Sequence, residues 1–322
     1  MMKRYIPFIF LLSLSSCSQT KVMESKIFCF DTMMNVALYE GDKDNIKDIE
    51  SIFSYYDKIS DNYRSRDITN VYSINHTNDE VEVDKELYDL LFTSFNVKNE
   101  GATFFNPFCG SLSKKWKESL SNGKVLEEAI IEEELNKMRV SSIAFKENDV
   151  IQRSGEAEID LGGIAKGYVL DKVQDYLKEK EISHYLIKAG LSYIGGASSI
   201  LLGEKETKSG LFSIGLPDLT NAYIELKNCF VTTSGVEVQG KVIDGVTYSH
   251  IINPENGSAI NNYDSVIVVS DDGYLGDALS TSMMMNTIEE IKEIEETQNV
   301  KAIAIKNKKI VYSNKDIEVK YH

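Results

Sequence analysis

The sequence contains few of the residues that mark metal sites, redox pairs or domain linkers. Its 322 residues include four cysteines and four prolines. Cys29, Cys109 and Cys229 are far apart and form no C-x-x-C motif, so neither a zinc site nor a redox pair is indicated. We expect three small buried side chains, with one disulfide among them as the alternative. No repeat and no Pro/Gly/Ser-rich linker divides the chain, which favours one large domain or two closely packed halves.

The chain is also short of positive charge. Lysine and arginine together number 35 against 50 acidic residues, so the formal net charge is −15 at pH 7. A surface that binds nucleic acid needs basic side chains to neutralise phosphates. The composition therefore argues against nucleic acid as a partner, although a local basic pocket for a phosphorylated small molecule remains compatible with it.

The apolar run at the N-terminus, IPFIFLLSL (residues 6–14), is too short to span a bilayer as a stable helix. Lys3 and Arg4 precede it, as in a signal peptide. The run ends in LSSC, which resembles the lipobox of bacterial lipoproteins. That resemblance implies removal of residues 1–16 and acylation of Cys17, with residues 17–27 as a lipidated tether to a domain of residues 28–322. An ordinary cleaved signal with an incidental cysteine is the alternative.

Apolar periodicity predicts a mixture of strands and helices. Residues 25–40 have the composition of a strand, whereas residues 42–60 and 84–100 place apolar side chains at helical spacing. Further strands are expected in residues 204–219, 222–235 and 264–270, a helix in 274–296 and a terminal meander in 301–321. Because strands and helices do not alternate strictly, the predicted class is α+β.

A glycine-rich stretch, EIDLGGIAKGYVLDKV (residues 158–173), is the first candidate for a binding site. AEIDL reads as a short strand that ends near Asp160, and a helix face follows at Ile164, Tyr168, Val173 and Leu177. Glycines at such a junction let the backbone approach a ligand, and the helix N-terminus favours an anion. The pattern is neither a P-loop nor a dinucleotide fingerprint. A tight turn that only allows packing is the alternative.

Two further stretches carry side chains suited to chemistry. YSHIINPENG places His250 in a β-like run before a turn, although a lone histidine is more often structural. GDALSTSMMM places Asp277 in the first turn of a helix, with Ser280 and Thr281 one turn later on the same face. A carboxylate and a hydroxyl at that spacing can share a hard cation such as Mg²⁺. Capping of the helix by Asp277 is the alternative.

The chain resembles one family over about residues 28–300. Four motifs, IDLGGIAKGYVLD, VTTSG, HIINPENG and GDALST, occur in the order and spacing of the ApbE family, the FAD:protein FMN transferases. FDTMMNVALY, SDNYRS…VYSIN and GATFFNPFCGSLSKKW are weaker matches. The family consists largely of lipid-anchored or exported bacterial proteins, which agrees with the lipobox. The resemblance implies an α+β, T-fold-related architecture of mixed or antiparallel sheets with packed helices.

The resemblance implies a Mg²⁺-dependent enzyme that cleaves the pyrophosphate of FAD. It would pass FMN to a threonine or serine hydroxyl of an acceptor protein and release AMP. The acceptor would be a membrane redox subunit or an exported flavoprotein, and the enzyme a lipid-anchored protein of the bacterial cell envelope, facing the periplasm or the outside. A metal-dependent FAD pyrophosphatase and a non-enzymatic flavin-binding lipoprotein are the alternatives. Asp277 and Thr281 argue against the second alternative, because a binder does not need the cation.

The resemblance also assigns roles to residues. The Gly163 carbonyl, Asp277 and Thr281 would coordinate Mg²⁺, with Ser280 beside it. His250 would line this site and accept the proton of the attacking hydroxyl. The FAD contacts would come from Phe30, Tyr63, Phe104, Phe105, Asn106, Asp160, Lys166 and Ile252. Aromatic rings suit that role because flat rings pack on one another, with ordinary core packing as the alternative for Phe104.

Two positions depart from the family pattern. Asn253 stands in HIINP where the family has a carboxylate, and Asn106 follows Phe105 where the family has F-D. KAGLSYIGGASS also lacks the usual G-G-D/N pattern in its first half. Because the two asparagines remove negative charge, we expect the contacts to FAD to differ in detail, while the residues assigned to the metal are intact.

Overall fold

The computed structural model describes residues 22–190, 198–236 and 240–322. Cys17 and the predicted signal segment lie outside these ranges, and so do residues 191–197 of the segment KAGLSYIGGASS. Within the described ranges, no helix is both long enough and apolar enough to cross a lipid bilayer.

Sixteen strands and eight α-helices make up the described part of the chain. The strands are β1 Met23–Cys29, β2 Thr32–Leu38, β3 Glu80–Glu82, β4 Ser142–Lys146, β5 Val150–Ser154, β6 Tyr185–Ala189, β7 Ser198–Leu202, β8 Phe212–Gly215, β9 Ala222–Leu226, β10 Cys229–Gly235, β11 Lys241–Ile243, β12 Val246–Tyr248, β13 Ser265–Ser270, β14 Lys301–Lys306, β15 Lys309–Ser313 and β16 Lys320–Tyr321. The helices are α1 Lys43–Ser60, α2 Val71–Asn75, α3 Lys85–Asn96, α4 Gly110–Ser121, α5 Glu128–Val140, α6 Ala165–Glu179, α7 Gly273–Met283 and α8 Ile288–Gln298, with 3₁₀ turns at Val97–Glu100 and Pro107–Cys109.

The centre of the fold is an eight-stranded sheet in the order β1-β2-β6-β7-β10-β13-β14-β15. Every neighbouring pair in it is antiparallel. Alternate side chains of β13 enter different cores: Val266 and Val268 pack on the helix side, and Ile267 and Val269 on the other. Both faces of the central strands are therefore covered, which explains why DSVIVVS is apolar without alternation.

A smaller sheet, in the order β16-β9-β8, contributes to the core on the second face. Ile214 of β8, Ile224 of β9 and Ile317 before β16 pack in the same buried cluster as alternate residues of the large sheet. The C-terminus is attached through its last residue as well, because the ring of His322 stacks on Tyr223 with 4.4 Å between the ring centroids. A third sheet, β3-β5-β4, belongs with α2 to α5 to the core on the helix side.

Helices α6 and α7 cross in close backbone contact. A Cβ atom on Gly167 would lie 2.0 Å from the carbonyl oxygen of Gly273, so only glycine fits there. Asp171 of α6 accepts hydrogen bonds from the N–H groups of Gly273, at 2.6 Å, and Tyr274, at 2.8 Å. One carboxylate of α6 thus satisfies the N-terminus of α7. Burial raises the pKa of Asp171 to about 7. The crossing sets the start of α6 against the polar residues of α7.

The predicted α+β class is confirmed, and several predicted elements differ in their limits. Residues 25–40 form the hairpin β1–β2 rather than one strand, because the chain reverses at Phe30 and Asp31, whose φ angles are +52° and +53°. Residues 274–296 form two helices rather than one, because Thr287 begins α8 with a capping box that includes Glu290. β1 begins at Met23, so residues 23–27 belong to the sheet and not to the tether.

Residues 157–161, AEIDL, form an extended segment outside any sheet, so the strand predicted there is wrong. Their backbone groups bond to other partners. The side chain of Asn75 accepts from the N–H of Ile159 at 2.7 Å and donates to its carbonyl at 2.9 Å. The N–H of Asp160 donates to the carbonyl of Pro107 at 2.8 Å. Side-chain and loop contacts therefore replace a strand ladder.

The three described cysteines carry free thiols, so none of them forms the disulfide considered as the alternative. Cys29 and Cys229 are buried as expected, whereas Cys109 is half-buried. Burial raises the pKa of each thiol to about 12. The thiols are therefore protonated at neutral pH and poorly nucleophilic.

Candidate active site

The segment that leads into the glycine loop before α6 is held by buried hydrogen bonds from side chains to its backbone. Arg153 of β5 donates to four backbone carbonyls, including that of Asn75 at 3.1 Å and that of Ala157 at 3.0 Å. Asn75 in turn fixes Ile159. The carboxylate of Asp160, the next residue, accepts from the N–H of Gly162 at 2.8 Å and closes the loop. The position of Asp160 thus depends on side chains that are distant in sequence.

Asp277 joins the glycine loop to α7. It is the fifth residue of α7 and 3% exposed. Its Oδ2 accepts from the N–H of Gly167 at 3.0 Å and lies 3.7 Å from Nζ of Lys166. The expectation that Asp277 sits in the first turn is wrong, and so is the helix-capping alternative, because Asp171 bonds the first N–H groups of α7. The carboxylate instead faces the start of another helix.

The carbonyl of Gly163 is free among the residues that the structure describes. In a longer helix it would accept from the N–H of Gly167, but that group donates to Asp277 instead. A Cβ atom on Gly163 would lie 3.3 Å from Oγ1 of Thr281 and 3.1 Å from the ring of Phe105. Gly163 is therefore next to Thr281, which the family resemblance assigned to the same metal, and next to Phe105, which it assigned to FAD.

Three hydroxyl groups lie together beside Asp277. Oγ of Ser234 lies 2.9 Å from Oγ of Ser280 and 3.0 Å from Oγ1 of Thr281. The hydroxyls of Ser280 and Thr281 also donate to the backbone carbonyl of Asp277, at 2.9 Å and 3.2 Å. Two hydroxyls from one face of α7 thus lie within hydrogen-bond distance of one from the end of β10.

The donors present fit a small hard cation. A buried carboxylate, a free carbonyl and a hydroxyl are the oxygen ligands that Mg²⁺ takes, and it keeps further positions for water or phosphate oxygens. Across residues 22–190, 198–236 and 240–322, no group of three His, Cys, Asp or Glu side chains could hold a metal.

His250 is half-buried, and the charge of Lys166 acts on its imidazole. β12 ends at Tyr248, so the β-like run expected around His250 stops before it. Its Nδ1 is buried and has no hydrogen-bond partner among the described residues. Burial and then the charges of Lys166 and Lys117 lower the pKa of His250 to about 4. The imidazole is therefore neutral at pH 7, with an unsatisfied polar nitrogen.

The aromatic candidates differ in burial: Phe105 is buried, whereas Tyr63 is exposed and forms the rim of the site. Phe105 is buried against Gly163, and the N–H of Phe104 donates to Oγ of Ser282 at 3.0 Å. Tyr63 is 46% exposed. Burial and the negative charges of Asp160 and Asp31 raise the pKa of the Tyr63 phenol to about 12.

Phe30 occupies the turn next to Asp31. Its φ angle of +52° is rare for a bulky side chain, and its N–H donates to Oδ1 of Asp57 at 2.6 Å. Ile252 is 7% exposed and forms a single β-bridge with Ala259. Tyr63 thus lies within reach of the charges of Asp160 and Asp31, the chain neighbour of Phe30, whereas Ile252 lies two residues beyond His250.

The two asparagines that replace family carboxylates make local turn contacts. Oδ1 of Asn106 accepts from the N–H of Phe108 at 3.0 Å, and Oδ1 of Asn253 accepts from the N–H of Glu255 at 2.8 Å. A carboxylate oxygen would accept the same bonds. The substitutions therefore keep the backbone turns and remove only the charge.

Sequence reasoning assigned no role to four residues that organise the site: Asn75, Arg153, Asp171 and Ser234. Asn75, Asp171 and Ser234 stand inside the quoted motifs VYSIN, IDLGGIAKGYVLD and VTTSG, which is the signal that identifies them. Arg153 carries no such signal, because its partners are backbone groups, among them the carbonyl of Ile74 far along the chain.

A separate cavity of about 410 Å³, lined in part by Asp89, Tyr168, Asp171 and Tyr274, contains none of the predicted site residues. Its walls are mostly polar and acidic. It therefore adds nothing to the chemistry of the glycine loop.

Comparison with known proteins gives a consistent result. Residues 30–304 match the model of the ApbE family. A Klebsiella pneumoniae protein named FAD:protein FMN transferase is 27% identical over 257 residues, which cover 76% of this chain and 77% of that protein. A Chlamydia pneumoniae protein of the same name is 21% identical over 299 residues, 88% of this chain and 91% of that one.

Solved structures match nearly the whole chain. The ApbE protein of Thermotoga maritima has a TM-score of 0.75 and 25% identity, covering 92% of this chain and 96% of that one. The flavin transferase ApbE of Vibrio cholerae has a TM-score of 0.71 at 19% identity, with coverage of 94% and 97%. The second match carries information about the fold alone.

Proposed function

The chain belongs to the ApbE family, and from that premise we propose that it is an FAD:protein FMN transferase that needs Mg²⁺. In this proposal FMN passes from FAD to a threonine or serine hydroxyl of an acceptor protein, and AMP is released. The observation that carries it is that Gly163 lies next to the Thr281 hydroxyl, while the buried Asp277 carboxylate takes the N–H of Gly167 and so leaves the Gly163 carbonyl without it.

The reaction exchanges one phosphorus–oxygen bond for another. The acceptor hydroxyl oxygen forms a bond to the phosphorus of the FMN half, the bond from that phosphorus to the bridging oxygen breaks, and AMP leaves with the bridging oxygen. Such a transfer calls mainly for positioning and neutralisation of charge. Mg²⁺ held by the Gly163 carbonyl, Asp277 and Thr281 would neutralise phosphate oxygens. Lys166 lies 3.7 Å from the same carboxylate and supplies a second positive charge.

We assign His250 to the proton of the acceptor hydroxyl. A neutral imidazole with a free nitrogen can accept that proton, and the nitrogen of His250 has no protein partner among the described residues. Its low pKa arises from burial and two lysines. The negative charge of bound FAD would oppose the lysines and raise the pKa toward the range useful for a base.

The proposal includes the place where the protein works. We propose that acylated Cys17 anchors it in the bacterial cell envelope, facing away from the cytoplasm. β1 begins at Met23, so the five residues 18–22, or about 20 Å of fully extended chain from Cys17 to Met23, would separate the lipid from the sheet. A membrane redox subunit or an exported flavoprotein would then be within reach as the acceptor.

Asp277→Asn tests the proposal. The amide keeps an oxygen for the N–H of Gly167, so the fold should survive, but it removes the charge that a cation needs. With FAD, Mg²⁺ and an acceptor that carries a flavinylation motif, we expect the wild type to make the acceptor covalently fluorescent. The variant should be slower by about a hundredfold or more, because removing one charge-stabilising group costs about that much.

Asp271→Asn, an exposed carboxylate before the same helix, is the matched control and should keep wild-type activity. Free FMN and AMP without labelled acceptor would favour the pyrophosphatase instead. Full activity of Asp277→Asn with Mg²⁺ would remove Asp277 from the metal site.

A further inference from the structure

Helix α4 is fixed against the segment that carries His250. Nε1 of Trp116 donates to the carbonyl of Gly257 at 2.8 Å. The indole also stacks on Tyr248, with 6.0 Å between the ring centroids and 25° between the planes. These contacts lie on both sides of His250 in the chain. They set the orientation of α4, and the next residue of that helix is Lys117.

Lys117 faces the rim of the site. Its Nζ lies 5.5 Å from the centroid of the Tyr63 ring. Its positive charge also contributes to the lowered pKa of His250, after burial and Lys166. Lys117 on α4 and Lys166 on α6 therefore both act on the same imidazole, from two different helices.

The other lysines of this part of α4 have carboxylate partners. Nζ of Lys114 lies 2.7 Å from a carboxylate oxygen of Glu158, and Nζ of Lys115 lies 2.6 Å from Glu134. Across the described parts of the chain, Lys117 has no carboxylate oxygen within 4.0 Å. Lys117 is exposed, so its ammonium is open to a ligand at the rim.

We propose that Lys117 binds a phosphate of FAD, as a second cation that complements Lys166 at the glycine loop. This inference rests on the proposed function, since FAD is the ligand. A lysine ammonium without a counter-ion gains most from a charge-assisted contact to a phosphate oxygen. Asn106 and Asn253 also favour binding of an anion, because each keeps a local turn while removing the negative charge that the family pattern has there.

The contact to Tyr63 offers a different role for Lys117, namely holding that ring in place. The two roles predict different dependences on salt. A contact between an ammonium and a phosphate near the surface is screened as the ionic strength rises, whereas loss of ring packing weakens FAD binding similarly at every salt concentration. The salt dependence therefore separates direct binding from positioning.

The experiment titrates the fluorescence of FAD with wild type, Lys117→Met and Lys117→Arg at a series of KCl concentrations. We expect Lys117→Met to weaken the affinity for FAD roughly three- to thirtyfold at low salt, as for loss of one partly screened charged contact. The difference should shrink as KCl rises, and Lys117→Arg should restore most of the affinity.

Lys172→Met is the matched control. Lys172 lies 4.9 Å from the ring centroid of Tyr168, so the variant removes a similar lysine–tyrosine contact on α6 away from the site. It should bind FAD like the wild type. Equal affinity of Lys117→Met and wild type at low salt, or a loss that does not change with salt, overturns the inference while leaving the proposed function intact. Failure of the wild type to bind FAD overturns both.

Discussion

At the scale of single residues, Lys166 has two partners at the glycine loop. Its Nζ donates to the carbonyl of Gly162 at 3.0 Å and lies 3.7 Å from Asp277, while the side chain is 14% exposed. Gly162 belongs to the glycine loop, so the lysine extends back over the loop that precedes its own helix. A ligand phosphate at this loop would meet both the ammonium and the N-terminus of α6.

Lys166→Met should therefore weaken binding of FAD about ten- to hundredfold, since a hydrogen bond to a charged group is worth about 1.5–3 kcal/mol. Asp160→Asn is the companion variant, and its loss should be smaller because the amide keeps an acceptor for the N–H of Gly162. Flavin fluorescence titration gives both affinities, and thermal melts give both stabilities. Lower melting temperatures with unchanged affinity would mean that the loop is only a turn.

Between elements, the crossing of α6 and α7 decides the geometry of the site. Gly167 and Gly273 let the two backbones touch, and the N–H of Gly167 is thereby brought to Asp277. Asp171 completes the contact from the other side by bonding the N-terminus of α7. The same crossing frees the Gly163 carbonyl, because the N–H of Gly167 donates to Asp277 instead.

Gly167→Ala should destabilise the fold by about 1–3 kcal/mol or more, because its Cβ would lie 2.0 Å from a carbonyl oxygen that belongs to a rigid helix end. Gly215→Ala in β8 is the control, since nothing lies within 4 Å of its added Cβ. Urea unfolding of the two variants against wild type measures the difference. Equal stability of both variants would show that α6 and α7 can move apart without cost.

For the molecule as a whole, the large sheet separates two cores, and β1 is one of its edge strands. β1 begins at Met23, and the hairpin turn at Phe30 lies beyond its other end. A lipid at Cys17 would therefore hold the start of β1 near the membrane. This arrangement suits an acceptor that is itself attached to the membrane.

Cys17→Ala should abolish acylation and release the protein from membranes or block its processing. Membrane fractionation of cells that express wild type or variant, together with the mass of the N-terminal peptide, measures the outcome. Cys29→Ala is the control, because Cys29 is a free buried thiol of the folded domain. Retention of Cys17→Ala on membranes to the wild-type extent would exclude the lipid anchor.

The amino-acid sequence was sufficient for the α+β class and for the family, and it singled out Gly163, Asp277 and Thr281 as a group whose role stays a prediction. Helices with a regular apolar face, such as residues 42–60, were predicted nearly to their ends, because local spacing decides which face is buried. The glycine loop and the spacing of Asp277 and Thr281 were recognisable for the same reason, since each motif lies within one short segment.

Other features depend on contacts that no local pattern carries. Asp277 looked like a helix cap until the crossing placed it on Gly167, 110 residues earlier in the chain. AEIDL resembled a strand, yet Asn75, 84 residues before Ile159, binds its backbone instead of a ladder. The free Gly163 carbonyl and the low pKa of His250 likewise arise from burial and from neighbours on other helices. Hydrogen bonding and desolvation depend on distances in space, and only the folded chain sets those distances.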